Sequence, residues 1–261
     1  MTHSLENPMN PTDDLQARAR QLQLHGLLLH WTDVANAAWL PMLIQWEAEA
    51  RQQRSLERRI QAARLGRFKP LCEFDWRWPK RCARGAIETL MTLEFLQEQS
   101  NVILIGPNGV GKTMIAQNLA HQALLQGANV LFTTAGPLLG ELAAIDSDSA
   151  LRRRLKYYAK PDLLVIDEVG HLSYGNRHAD LLFELVSRRY EHHSTLVTTN
   201  RPFAEWGEVF PNAACVVSLV DRLLHHAEII GLEGESYRLR EARERSQRQG
   251  RKRQTKAGGA G

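Results

Sequence analysis

Up to about residue 100 the apolar positions of this chain follow a helical period; beyond it they gather into short β-branched runs. Leu15, Leu22, Leu24, Leu27, Leu28 and Trp31 recur at the spacing of one helix face, and a second helical run extends from Pro41 through Arg64. A loop-like segment, LGRFKPLCEFDWRWP, separates these from a further helix-like stretch, RGAIETLMTLEFLQEQS. From residue 101 the runs NVILIG, ANVLFTT, DLLVID and STLVTTN alternate with turns and helical stretches. That alternation predicts an α/β fold with a parallel sheet and helices on both its faces, preceded by a small all-helical domain. No internal repeat is visible, and only the C-terminal tail is of low complexity.

Composition adds limits. Of 261 residues, 43% are hydrophobic and 24% charged, as in a soluble globular protein. No apolar run reaches the roughly 18 residues of a membrane span, and the first residues lack the basic-then-apolar order of a signal peptide. Cys72, Cys82 and Cys215 are odd in number and have no CxxC spacing, which fits free thiols in the cytoplasm. The net charge of +4 is unevenly spread: residues 51–84 carry eleven Lys/Arg against three acids, and residues 238–256 nine against two. Basic blocks flanking a balanced middle point to a polyanion, most simply nucleic acid; a solvated helix face or a solubilising tail is the plainer reading.

The segment GPNGVGKT, residues 106–113, fits GxxxxGK[ST] and stands between an apolar strand and the helix-like MIAQNLAHQALLQ. Gly106, Gly109 and Gly111 let the backbone wrap an anion, with Pro107, Asn108, Val110 and Met114 completing the loop and helix start, and the helix N-terminus adds partial positive charge. Lys112 would reach the β- and γ-phosphates of ATP, and the Thr113 hydroxyl would hold Mg²⁺. Asp167 and Glu168 follow four apolar residues at the end of LLVIDE, fifty-four residues beyond Thr113, at the strand edge where ligands collect in such sheets. Asp167 would complete the Mg²⁺ environment, and Glu168 would polarise the attacking water. Asn200 ends STLVTTN and is suited to orienting that water.

With these motifs in place the chain resembles AAA+ ATPases, and within them DnaC-type helicase loaders and IstB-like transposition helpers. The IstB-like resemblance rests on TLEFLQEQSNVILIGPNGVGKT, NVLFTTAGPLLGEL, LLVIDEVG, TTNRPFAEWGEVF and DRLLHHAEIIGLEGESYRLRE, and covers roughly residues 12 to 245. It implies an ATP-dependent, DNA-binding helper of an insertion-sequence transposase, in the bacterial cytoplasm and without a membrane partner. The domains would be an N-terminal helical DNA-binding or partner domain over residues 1–68, a connector over 69–89, an AAA+ core over 90–240 and a basic, disordered tail over 241–261. Asn200 falls at the sensor position, Arg222 where the family places an arginine finger, and Arg238 at the second sensor arginine. Many relatives have proline at Asn108; phosphate contacts there are through backbone, so little should change. A finger given by a neighbouring subunit makes hydrolysis depend on assembly, which predicts self-association into a ring or spiral on DNA.

Two clusters are candidates for the DNA contact: Arg58, Arg59, Arg64, Arg67 and Lys69 beside Phe68, and Arg152, Arg153, Arg154 and Lys156, with Lys160 nearby. The second lies where related initiators and loaders carry an insertion facing DNA. Neither holds a base-reading module, so contact with duplex DNA should be largely sequence-independent and salt-sensitive. The six tryptophans are expected in packing, with Trp76 and Trp78 clamping the N-terminal part to the core. His225 and His226, inside VSLVDRLLHHAEII, would point about 100° apart on a helix, and no metal-ligand set is visible around them. A DnaC-type helicase loader remains the alternative. A metabolic P-loop kinase would need a small-molecule acceptor site, against which the basic flanks and the Asn200, Arg222 and Arg238 set argue; a DNA-binding scaffold that barely hydrolyses also stays open.

Overall fold

The structure is a computed structural model and describes residues 11–171, 174–210, 214–242 and 245. The chain divides between Arg58 and Arg59 into two compact units. The tail expected to be disordered lies, beyond 242 and apart from 245, outside the described residues.

The first unit is helical: α1 (Pro11–Gln21), α2 (His25–Leu29), α3 (Trp31–Val34) and α4 (Leu40–Ala63), the last running through the division. Asp13 and Asp14 in the first turn of α1 and Arg18 and Arg20 in its last turn match the helix dipole. Ala19, Leu40 and Ile44 are buried together, and Leu15, Leu22, Leu24, Leu27, Leu28 and Trp31 pack on them, the periodic positions read from the sequence. So small a core seats one face of α4, and Trp39 and Trp46 stand 46% and 57% exposed rather than in packing.

The second unit is built on six strands: β1 (Arg81–Cys82), β2 (Asn101–Ile105), β3 (Val130–Thr134), β4 (Leu163–Val169), β5 (Ser194–Thr199) and β6 (Ala227–Glu233). Their order is β1-β6-β2-β5-β4-β3, with β1 antiparallel to β6 and every other pairing parallel. Accompanying them are α5 (Arg84–Leu90), α6 (Glu94–Gln97), α7 (Lys112–Leu125), α8 (Ala135–Ala143), α9 (Asp148–Ala159), α10 (Asn176–Arg189), α11 (Trp206–Val209) and α12 (Val216–Leu224). β2, β4 and β5 are buried along almost their whole length, which requires cover on both faces of the sheet, as continuous apolar runs predict.

The run VSLVDRLLHHAEII splits. Its first half is α12, which ends at Leu224; its second half, rich in β-branched residues, becomes β6 beside β2. RPFAEWGEVF forms α11 and its approach, with Trp206 and Phe210 fully buried and Phe210 stacked on Tyr174 at 5.2 Å. Arg189, 1% exposed, joins three segments: Nε donates to Thr195 Oγ1 (3.0 Å), Nη1 to the carbonyls of Ala159 and Pro161 (both 2.8 Å) and Nη2 to that of Ser194 (2.5 Å). These are the carbonyls where α9 turns into β4 and where β5 begins, and no ladder serves them all. Arg189→Met should therefore lower the stability of the second unit by about 2–5 kcal/mol in urea unfolding, because buried acceptors lose their donor. Arg188→Met, which removes only a half-buried i,i+4 pair with Glu184 on the helix surface, should change it by less than about 1 kcal/mol.

Candidate functional site

The loop from Ile105 to Lys112 carries positive φ at Gly109 (81°) and Gly111 (104°), the left-handed conformations that only glycine takes without strain. Both are also closely packed: a Cβ at Gly109 would strike the Ser236 side chain, and one at Gly111 the Phe74 ring. The Tyr237 N–H donates to the Gly109 carbonyl at 2.9 Å, so the outer side of the loop is held by a segment more than a hundred residues away. Lys112 is 7% exposed, and its Nζ donates to the carbonyls of Gly106 (2.6 Å) and Pro107 (2.9 Å). Burial lowers its pKa, Asp167 and Glu168 oppose that, and Arg238 adds to it. A charge held this way is poised for an anion.

Across from it, Asp167 is 3% exposed. Thr113 Oγ1 lies 3.0 and 3.2 Å from its two carboxylate oxygens, and the Thr198 hydroxyl donates to Oδ1. Burial raises the Asp167 pKa, while the hydrogen bonds from Thr198 and Thr113 pull it down. Hard oxygen donors around a buried carboxylate fit Mg²⁺, whose charge would offset the cost of that burial. Glu168, the next residue, is exposed into the cavity. Asn200 lines the same cavity with its Oδ1 buried and, among the described residues, without a hydrogen-bond partner.

The cavity is about 420 Å³, within the range of small-molecule sites. Besides Lys112, Thr113, Glu168 and Asn200 it is lined by Phe74, Trp78 and Lys69 from the connector and by Tyr237, Arg238 and Glu241 from the C-terminal segment. These two walls are tied together. Trp78 Nε1 donates to the Glu235 carbonyl (2.9 Å), Arg240 lies 4.5 Å over the Trp78 ring and 3.6 Å from Asp75, and Lys69 pairs with Glu241 at 3.8 Å. Trp78 therefore fastens the connector to the C-terminal end of its own unit, and Trp76 packs at 4.7 Å on Phe74.

The other expected residues lie apart. Arg222 is on α12 outside the cavity lining, its guanidinium 4.7 Å over the Phe183 ring and 5.9 Å from that of Tyr190. Arg58, Arg64 and Arg67 are exposed; Arg59 is half-buried, with Nη2 3.4 Å from the Leu124 carbonyl. Arg152, Arg153 and Lys156 are exposed on α9, whereas Arg154 is committed within the protein: it pairs with Glu141 at 2.7 Å and lies 4.2 Å over the Tyr157 ring. Its position flanks the buried face of α9, formed by Leu155 and Tyr158, and that face brings it against α8. His225 caps α12 with helical dihedrals and His226 follows it out of the helix, and Glu191 supplies the third ligand-capable group within 4.8 Å that the sequence did not show. All three are exposed, and His225 Nδ1 already faces the Tyr190 hydroxyl at 2.8 Å.

Residues 17–245 match the family described as IstB-like ATP binding protein. The chain belongs to this family. The IstB-like chain is 38% identical over 205 residues to an ATP-binding protein of insertion sequence IS21 in Pseudomonas aeruginosa, covering 78% of this chain and 77% of the relative. It is 35% identical over 217 residues to one of insertion sequence IS5376 in Geobacillus stearothermophilus, covering 83% and 86%. Among solved structures it is similar to DnaI (TM-score 0.52, 20% identity, 62% of this chain and 90% of that one) and to the DnaC helicase loader (0.50, 19%, 66% and 97%). The fold is thus that of AAA+ P-loop proteins, and the family is ATP-binding.

Asp167→Asn removes a charge that burial disfavours. A carboxyl whose folded pKa lies above its unfolded value costs stability at neutral pH, a cost relieved only as pH falls through the folded value. The variant without nucleotide should therefore melt a few degrees higher, by about 1 kcal/mol, than the parent, and should lose the further rise in Tm that ATP and Mg²⁺ give the parent.

Proposed function

We propose that this protein is a Mg²⁺-dependent, DNA-stimulated ATPase that assembles on duplex DNA as the helper of an insertion-sequence transposase, selecting and remodelling the target and regulating the transposase in the bacterial cytoplasm. The observation that carries the reading is the arrangement of charge about one cavity: Lys112, Glu168, Asn200 and Arg238 converge on it, while Arg222 stands outside. The insertion-sequence context of the relatives supports the transposase partner.

In this reading the loop N–H groups and Lys112 bind the β- and γ-phosphates of ATP. Thr113 and Asp167 would hold Mg²⁺, which would supply positive charge to the phosphate oxygens. Asn200 orients a water, and Glu168 takes a proton from it as its oxygen bonds to the γ-phosphorus. The bond from that phosphorus to the bridging oxygen breaks, leaving ADP and inorganic phosphate. Arg238, on the cavity wall, faces the phosphates of its own subunit. Arg222 acts on the ATP of a neighbour in a ring or spiral; its seat on the Phe183 ring of α10 leaves a fixed, permanently charged group for that purpose. For DNA we retain Arg58, Arg64, Arg67, Arg152, Arg153 and Lys156 as exposed phosphate contacts. Arg59, Lys69 and Arg154 have protein partners and would serve mainly to position them.

Mixing tests the shared site. Lys112→Ala protein and Arg222→Ala protein, each inactive alone, should recover part of the ATPase when combined on DNA; no recovery, with both variants still assembling, removes the shared site. DNA affinity should fall steeply with salt, and reversing Arg152, Arg153 and Lys156 to Glu should flatten the slope of log K against log [salt] by about 0.9 per lost phosphate contact. The shared core also admits a helicase loader of DnaC type. Capture of an integrase-like transposase rather than a hexameric helicase decides between them.

A further inference from the structure

β4 and β5 pair in register from Leu163 opposite Ser194 to Ile166 opposite Val197, and pairing resumes at Val169 opposite Thr199. Between those anchors β4 has two residues, Asp167 and Glu168, and β5 has one, Thr198. That count is a β-bulge, and it falls on the acid pair. A regular strand would send consecutive side chains to opposite faces. Here Glu168 takes a left-handed φ of 62°, the Asp167 carboxylate stays buried against Thr113, and Glu168 opens into the cavity above the phosphate loop.

A bulge leaves one residue without its ladder partner, and a left-handed glutamate must be held in place. One side chain meets both needs. The Glu168 N–H donates to Thr198 Oγ1 at 3.0 Å, and the Thr198 hydroxyl in turn donates a hydrogen bond to Asp167 Oδ1. Thr198 is fully buried at the floor of the cavity. Its hydroxyl accepts once and donates once, and both bonds end on the two acids that the site requires on one side of the strand.

We propose that Thr198 is a positioning residue for hydrolysis. It fixes the bulge that aims Glu168 at the attacking water while Asp167 stays on the Thr113 side. The proposal rests on the reading of Glu168 as the proton acceptor. A merely structural role, a buried hydroxyl satisfied by its neighbours, would tie loss of Thr198 to stability alone.

The full chain on duplex DNA gives the test, with kcat and KM for ATP, affinity for a fluorescent ATP analogue and Tm read on each variant. Thr198→Val keeps the shape and removes both bonds. It should lower kcat by about 10- to 100-fold while the affinity for the analogue stays within about threefold. Thr198→Ser, which restores the hydroxyl, should recover kcat to within about threefold of the parent. On a Glu168→Gln background Thr198→Val should cost less than it does in the parent, because the carboxylate it aims is gone and only the bond to Asp167 is left to lose. Parental kcat in Thr198→Val overturns the proposal, as does a serine variant as slow as the valine one, or the same fold loss repeated on the Glu168→Gln background. Parental kcat in Glu168→Gln would instead overturn the assignment of Glu168, a distinct failure. Should the valine variant not fold, Thr198→Cys replaces it: a kcat between those of the parent and Glu168→Gln supports the role, and parental kcat refutes it.

Discussion

A carboxylate buried to 3% exposure is costly unless donors surround it, and the site is organised by the way Asp167 meets that requirement. Its partners are the hydroxyls of Thr113 and Thr198, one from the first turn of α7 and one from β5. The phosphate loop, the central strand and its neighbour are therefore joined at a single anion. Burial still lifts its pKa, so a cation beside it would offset part of the cost of that burial. The neighbouring Glu168 owes its direction to the same contact, through the Thr198 hydroxyl that bridges the bulge.

The remaining walls are assembled from segments far apart in the chain. Residues 69–79 and 235–241 meet over the loop through Trp78, Asp75, Arg240 and the Lys69–Glu241 pair. The glycines are constrained from that side too, since Gly109 abuts Ser236 and Gly111 abuts Phe74. Glycine is thus required in the loop for its conformation and for the approach of its own protein as well as for the phosphate. The same segment carries Arg238 to the wall of the cavity.

Basic residues sorted themselves by neighbours rather than by number. In one helical turn of α9, Arg152 and Arg153 remain open to solvent, while Arg154 is spent on Glu141 and two tyrosine rings. Arg189, unremarked in the sequence, is the most committed of all, saturated by carbonyls at the base of the sheet. A charge run in a sequence records how many cations are available, and burial of the adjoining face decides which are free.

By itself the sequence determined the alternation of strand and helix, the phosphate loop with Lys112 and Thr113, the acid pair near the end of β4 and the helical first unit. These are local: period, glycine spacing and a strand edge are written within a few residues, and the apolar face of each element declares itself. Tertiary structure decided what lies between distant segments. It split VSLVDRLLHHAEII into helix and strand, because only the sheet offers AEII a partner in β2. It brought Glu191 to the histidines, moved Lys69 from a basic run to the wall of the cavity, and made Thr198 the partner of both acids. Strand pairing is where that last decision was made. A bulge is a mismatch in count between two strands thirty residues apart, and neither strand carries that count alone.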